Sequence, residues 1–122
     1  MVYFFKGQGR VGERLLARKP AEVGLPAIVL YELEVGVLQS KAPDRRREQL
    51  DTLLDAARVI PFGPAEARAA AGIRAALERA GNGIGPLDTL IAATALASRG
   101  TLVTHNTREF RRVPGLSIED WY

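Results

Sequence analysis

The sequence predicts an α/β domain built on a largely parallel sheet. Short apolar stretches that read as strands alternate along the chain with longer segments whose apolar residues recur at helical spacing. This alternation is typical of parallel strands joined by helical crossovers. The 122 residues contain no long linker, internal repeat or low-complexity tract, so we expect a single domain spanning residues 1–122.

The first two predicted helices flank an extended stretch. Residues 10–17 carry apolar side chains at helical spacing, and Pro20 ends that segment. Residues 22–29 form a short apolar stretch that runs into the second helix. One face of that helix carries three apolar residues, namely Leu30, Leu33 and Val37. Glu32 and Glu34 lie off this face.

Residues 41–43 break the helical pattern, and Asp44 can cap the helix that follows. The apolar stripe of that helix comprises Leu50, Leu53, Leu54 and Ala57. The cations Arg45–Arg47 oppose the helix dipole, which predicts either an acidic neighbour or bound anion beside them, or a solvated basic face. Residues 58–62 are β-branched and aromatic, and Pro61 indicates a strand at the edge of the sheet.

The second half of the chain repeats the alternation of helix and strand. Residues 66–80 predict an Ala-rich helix whose small side chains allow close packing against another helix. The glycine-rich residues 81–85 predict a flexible turn before the next helix. Residues 101–106 predict a strand, and residues 115–121 a last one.

One acid begins the helix that follows this turn. Pro86 suits the first helical position, and Asp88 two residues later lies against the positive end of the helix dipole. An acid in a first turn is commonly only a dipole partner, and that alternative stays open for Asp88 taken alone. Glu32 occupies a similar position after an apolar stretch, and Asn106 and Glu109 follow another strand.

These four residues predict a metal site. In parallel sheets, functional groups collect beyond the carboxyl ends of the strands, and clustered carboxylates there need a cation or protons to offset their repulsion. The chain has no cysteine and a single histidine, His105, so a zinc site is not expected. His105 has no obvious partner in the sequence, which argues against a role as general base. Oxygen ligands favour Mg²⁺ or Mn²⁺, which can activate water for attack on a phosphodiester.

The composition is that of a soluble globular protein. The hydrophobic content of 47% and charged content of 25% are ordinary, and no apolar run is long enough to span a bilayer. No cleavable signal pattern is visible, so we expect a cytoplasmic protein. The net charge of +3 mildly favours an anionic partner. Five cations are predicted to contact phosphate groups of such a partner, namely Lys6, Arg10, Arg108, Arg111 and Arg112.

Three segments, taken in order, resemble the PIN-domain family, and within it the VapC-type toxins of bacterial toxin–antitoxin pairs. They are residues 26–37, residues 85–97 and residues 101–121, with sequences PAIVLYELEVGV, GPLDTLIAATALA and TLVTHNTREFRRVPGLSIEDW. The resemblance implies a three-layer α/β/α sandwich around a central, mostly parallel sheet. Glu32 and Asp88 match two of the family's metal-binding acids. Asn106 stands where many members have a further acid, and Glu109 could supply the missing charge.

The N-terminus departs from the family pattern. VapC-type domains usually open with a short strand ending in Asp-Thr-Asn, whose Asp is the central metal ligand. This chain opens with residues that resemble the following helix, and its first acid, Glu13, is set within a helix. We therefore expect either a start downstream of the usual one or a shortened, disabled relative. Met1–Phe5 could replace the missing strand, or a second subunit could donate one.

The resemblance implies a metal-dependent endoribonuclease that cleaves structured RNA such as transfer RNA. It also implies a small DNA-binding antitoxin of the VapB type that blocks the site, and a homodimer packed through helices. Two alternatives stay open. One is a catalytically impaired remnant that binds an antitoxin or RNA, and the other is a metal-dependent nuclease acting on DNA.

Overall fold

The computed structural model describes residues 3–5 and 23–120, which form five strands and five helices. In chain order these elements are β1 (Tyr3–Phe5), β2 (Val23–Pro26), α1 (Ala27–Leu38), α2 (Pro43–Asp55), β3 (Arg58–Ile60), α3 (Pro64–Arg79), α4 (Pro86–Ala97), β4 (Thr101–Val103), α5 (Thr107–Phe110) and β5 (Ser117–Glu119).

The five strands form one parallel sheet in the order β3-β2-β1-β4-β5. The central strand is β1, in which Phe4 pairs with Gly24 on one side and with Leu102 on the other. Residues 3–5 therefore occupy the position for which the sequence left open a strand from this segment or from a second subunit.

The order of the strands explains why helices cover both faces of the sheet. The chain moves outward from β1 through β2 to β3, and then returns across the sheet to β4 and β5 on the other side. Crossovers between parallel strands are right-handed, so the helices before and after this reversal cover opposite faces. The result is a three-layer α/β/α sandwich whose strand order reverses between β1 and β4, where parallel sheets commonly bind ligands at their carboxyl ends.

Among the described residues, the core joins strands β2 and β4 to helices α1, α3 and α4. The side chains of Leu25, Ile91, Leu102 and Phe110 are completely buried. Helix α4 is buried continuously from residue 91 to residue 95, and its small side chains let α3 pack closely along it. The close packing expected of the Ala-rich helix is therefore present.

Two helix starts differ from the sequence prediction. Helix α2 begins at Pro43, whose fixed φ suits the first helical position, so Asp44 lies inside the first turn and makes no capping hydrogen bond. Helix α3 begins at Pro64, two residues before the expected start at Glu66. The Glu66 carboxylate accepts a hydrogen bond from the Gly63 N–H at 2.8 Å, which stabilises this earlier start.

An ion pair joins α1 to α2. The Arg47 guanidinium donates two hydrogen bonds to the Glu34 carboxylate, at 2.9 and 2.6 Å, in a bidentate geometry. This contact lowers the pKa of Glu34, chiefly through the hydrogen bond from Arg47. Glu34 is the acidic neighbour that the sequence predicted for this run of arginines.

Within the described part of the chain, none of the helices has the length and apolar character needed to cross a membrane.

The stability of the protein is expected to fall in acid partly through Glu34. Because the folded pKa of Glu34 lies below its ordinary value of 4.5, the stabilisation is present above that value and is lost as the pH falls through the lowered folded pKa. Urea unfolding between pH 6 and pH 3 should show a smaller loss of stability for Glu34→Gln than for the wild type. Glu78→Gln, which removes the more exposed pair with Arg74, serves as the control and should follow the wild type.

Helix α4 ends in a turn that forces Arg99 into a left-handed conformation, with φ at 54°. The Arg99 N–H donates to the Leu96 carbonyl at 3.1 Å, and the Gly100 N–H donates to the Ala95 carbonyl at 2.9 Å. These are the two hydrogen bonds of a Schellman motif, which normally has glycine at this position.

Arg99→Gly is expected to stabilise the protein by up to about 1 kcal/mol. The left-handed conformation costs a side-chain-bearing residue about 1–2 kcal/mol, and the greater entropy of glycine in the unfolded chain offsets part of the gain. Ser98→Gly, one residue earlier at a right-handed φ of −92°, should be neutral or destabilising. Chemical denaturation measures the free energy of unfolding of the two variants. An equal change in both would contradict the strain at Arg99.

Candidate functional site

The candidate site lies at the carboxyl edge of the sheet. Helix α4 leads back into β4, so its first turn, which carries Asp88, lies at this edge. Asn106 and Glu109 follow the end of β4, where Glu109 belongs to the short helix α5. The structure therefore brings together three of the four residues that the sequence predicted for the site.

Glu109 links two segments through both of its carboxylate oxygens. Its Oε1 accepts a hydrogen bond from the Gly85 N–H at 2.8 Å, and its Oε2 accepts one from Asn106 Nδ2 at 2.6 Å. Because the amide nitrogen of Asn106 faces Glu109, the opposite amide atom, Oδ1, is the one presented away from that carboxylate. Glu109 thus fixes both the start of α4 and the orientation of the Asn106 amide.

Asp88 and Glu109 converge beside Gly85. A methyl group in place of the Gly85 side-chain hydrogen would lie 3.7 Å from Asp88 Oδ2 and 3.7 Å from Glu109 Oε1. Both acids are half-buried, and both lie near the positive end of the α4 dipole. The two carboxylates therefore form one negatively charged cluster at the start of this helix.

Buried Thr104 holds the backbone of Asn106 in place. It is only 2% exposed, and its hydroxyl accepts a hydrogen bond from the Asn106 N–H at 3.0 Å. The two-residue spacing is that of an ST turn, so the sequence did contain a local signal for this contact. Thr104 thereby holds the backbone that presents Asn106.

Glu32 lies on a different helix from the residues of this cluster. It is half-buried in the second turn of α1, a helix that begins directly at the end of β2 and contacts α4. Over residues 3–5 and 23–120, no three acidic or histidine side chains come close enough to form a metal-ligand group. Glu32 therefore does not join Asp88 and Glu109 in one three-acid group in this structure.

The structure places the five cations predicted to contact phosphates in three different settings. Arg108 and Arg111 are exposed beside the cluster, on α5 and directly after it. Arg112 donates a hydrogen bond from Nη1 to the Gly83 carbonyl at 3.0 Å. Lys6 and Arg10 lie outside the described residues. No sequence spacing signals the Arg112 contact, because it joins residues that are 29 positions apart.

His105 has a partner that the sequence did not reveal. Its Nδ1 lies 3.3 Å from Asp120 Oδ2, just beyond the end of β5. The side chain of His105 is 77% exposed. This contact joins the segment after β4 to the segment after β5.

The chemistry of the cluster fits a divalent cation bound through oxygen. Asp88 contributes a carboxylate and Asn106 an amide oxygen, which are hard ligands of the kind that Mg²⁺ and Mn²⁺ prefer. Both oxygens of Glu109 accept hydrogen bonds from N–H groups, so Glu109 is placed to orient a neighbouring ligand. Asp88 and Asn106 are therefore the two clustered residues whose oxygens would hold the cation.

Comparisons with known proteins agree over most of the chain. The family model described as PIN domain matches residues 1–116. The chain is 38% identical over 106 residues to Ribonuclease VapC2 of Rickettsia felis, which covers 87% of this chain and 79% of that protein. It is also 40% identical over 98 residues to the tRNA(fMet)-specific endonuclease VapC of Salmonella typhimurium, with coverage of 80% and 74%.

Two solved structures are similar over their whole length. One is a chain from the crystal structure of VapBC2 from Rickettsia felis bound to a DNA fragment from its promoter, with a TM-score of 0.86, 31% identity and full coverage of both chains. The other comes from DNA-bound VapBC of Salmonella typhimurium, with a TM-score of 0.88, 30% identity and full coverage. The predicted α/β/α fold and the resemblance are both confirmed: the chain belongs to the PIN-domain family, within its VapC branch.

Proposed function

We propose that this chain is a divalent-metal-dependent endoribonuclease, the toxin of a toxin–antitoxin pair, that acts in the cytoplasm on structured RNA such as transfer RNA. The observation that carries the proposal is the convergence of Asp88, Asn106 and Glu109 at the carboxyl edge of the sheet. The proposal is supported by relatives named as a ribonuclease and as a tRNA(fMet)-specific endonuclease.

The residues of the cluster have separate roles in this proposal. Asp88 holds the cation, and Asn106 Oδ1 adds a second oxygen whose direction Glu109 fixes. Glu32, which lies outside the three-residue cluster on a helix that contacts α4, would supply a further carboxylate. When bound, Mg²⁺ or Mn²⁺ would polarise the phosphodiester and lower the pKa of an attacking water. Arg108 and Arg111, exposed beside the cluster, position the RNA by contacting its phosphates.

A protein partner fits the surface of α1. Tyr31 and Leu38 are 57% and 79% exposed, and their seven-residue spacing places them on the same face of the helix. The similar structures are of VapBC complexes bound to DNA. We propose that this chain likewise binds a small DNA-binding antitoxin of the VapB type, and that it forms a homodimer packed through helices.

A second function has its own support. The described residues bring only two acids, Asp88 and Glu109, into the cluster, and both oxygens of Glu109 already accept hydrogen bonds. A site that offers few anionic ligands binds Mg²⁺ weakly. The alternative is therefore a catalytically impaired PIN domain that binds an antitoxin or RNA without cleaving it.

Asp88→Asn is expected to abolish cleavage of a transfer RNA pool by the full chain in Mn²⁺. The loss should reach about 100-fold or more, since even residues that only support a metal ligand are worth 10- to 100-fold. Gel analysis of the RNA with Mn²⁺ or with chelator gives the measurement. Asp55→Asn, an exposed acid at the end of α2, is the matched control and should cleave like the wild type.

Each outcome of this experiment separates the alternatives. Metal-dependent cleavage that Asp88→Asn leaves intact would contradict the assignment of Asp88. A folded wild-type chain that cleaves nothing would contradict the nuclease proposal and favour the binding module. Matched RNA and DNA strands of one sequence, tested side by side, decide whether the nuclease acts on RNA or on DNA.

Glu109→Gln is expected to weaken Mn²⁺ binding by about 10-fold. The glutamine can still accept the Gly85 N–H through its oxygen, but its amide nitrogen would then face Asn106 Nδ2. Two donors cannot pair, so the Asn106 amide must turn and direct Oδ1 toward residue 109. Electron paramagnetic resonance of free Mn²⁺ measures the affinity, with Glu78→Gln on α3 as control. Equal affinities for Glu109→Gln and the wild type would show that Glu109 does not orient Asn106.

A further inference from the structure

The segment that leads into Asp88 is held at three points. Its beginning is fixed by a Schellman motif at the end of α3, in which the Asn82 N–H donates to the Leu77 carbonyl at 2.8 Å and Gly81 has a φ of +66°. Its end is fixed where the Gly85 N–H donates to Glu109 at 2.8 Å. Between them, the Gly83 carbonyl accepts the hydrogen bond from Arg112 at 3.0 Å.

This segment needs such anchors because of its composition. Three of its five residues are glycines, which restrict the backbone least of all residues. Glycine-rich loops are flexible unless other groups fix their backbone. Asp88 lies only three residues beyond the last of these glycines, so motion of the loop displaces the start of α4 and the carboxylate that it carries.

We propose that Arg112 is a positioning residue that holds residues 81–85 through the Gly83 carbonyl and thereby places Asp88, and that it does not bind RNA. Its guanidinium donates to a backbone oxygen of the loop, while Glu109, three residues earlier, holds the same loop at Gly85. The two side chains fix adjacent peptide groups from one short stretch, residues 109–112. The consequence for catalysis rests on the proposed function, whereas the anchoring of the loop does not.

The test compares Arg112→Ala, Arg112→Lys and Arg111→Ala in the full chain. Amide hydrogen exchange measured by NMR should be about 10-fold faster at Gly85 in Arg112→Ala, with core amides such as Ala92 unchanged, because the opening is local. Arg112→Lys keeps a charged donor and should restore part of the protection. Arg111→Ala should leave exchange at Gly85 as in the wild type.

Cleavage kinetics provide the second measurement. Arg112→Ala should lower kcat with KM and its salt dependence unchanged, whereas loss of a phosphate contact in Arg111→Ala should raise KM and reduce the salt slope by about 1. Unchanged exchange at Gly85 in Arg112→Ala would overturn the proposal, as would a rise in KM matching that of Arg111→Ala. If the wild type cleaves no RNA, the proposed function fails, and the exchange experiment still decides the role of Arg112.

Discussion

The carboxylate of Glu109 makes the contact on which the candidate site depends. It joins residues 24 positions apart, because one oxygen accepts the Gly85 N–H and the other accepts the Asn106 amide. The first bond ties Gly85, the residue before α4, to α5, and so holds the turn that carries Asp88 beside Asn106. The second sets which atom of Asn106 faces away from the carboxylate. A single side chain thus determines the relative position of the two groups that would hold a cation.

The parallel sheet explains why these residues can meet. Every strand in the sheet runs in the same direction, so the segments that follow the strands and the first turns of the returning helices share one edge. Because β1 pairs with both β2 and β4, the strand order reverses between β1 and β4. Residues from α4 and α5 meet at this edge of the sheet although the sequence separates them.

Sequence patterns predicted the elements and the position of single residues better than they predicted contacts. Pro86 and the helix dipole placed Asp88 correctly, because both act within one turn of helix. The hydrogen bonds between Glu109 and Gly85 and between Arg112 and Gly83 could not be predicted from sequence spacing, because they join residues that only tertiary folding brings together. The prediction that Asp44 caps α2 was wrong, because the helix begins one residue earlier, at Pro43. The ligand role of Glu32 stays a prediction.

The charge of the cluster bears on the proposed divalent cation. The α4 dipole contributes about half a positive charge near Asp88 and Glu109, which together carry two negative charges. N–H groups that point at Glu109 stabilise its charge without neutralising it. Asn106 adds an oxygen but no charge, so the divalent cation proposed for this cluster would offset the negative charge that remains. A second anion at residue 106 would repel Glu109 at 2.6 Å and break the contact that orients the site.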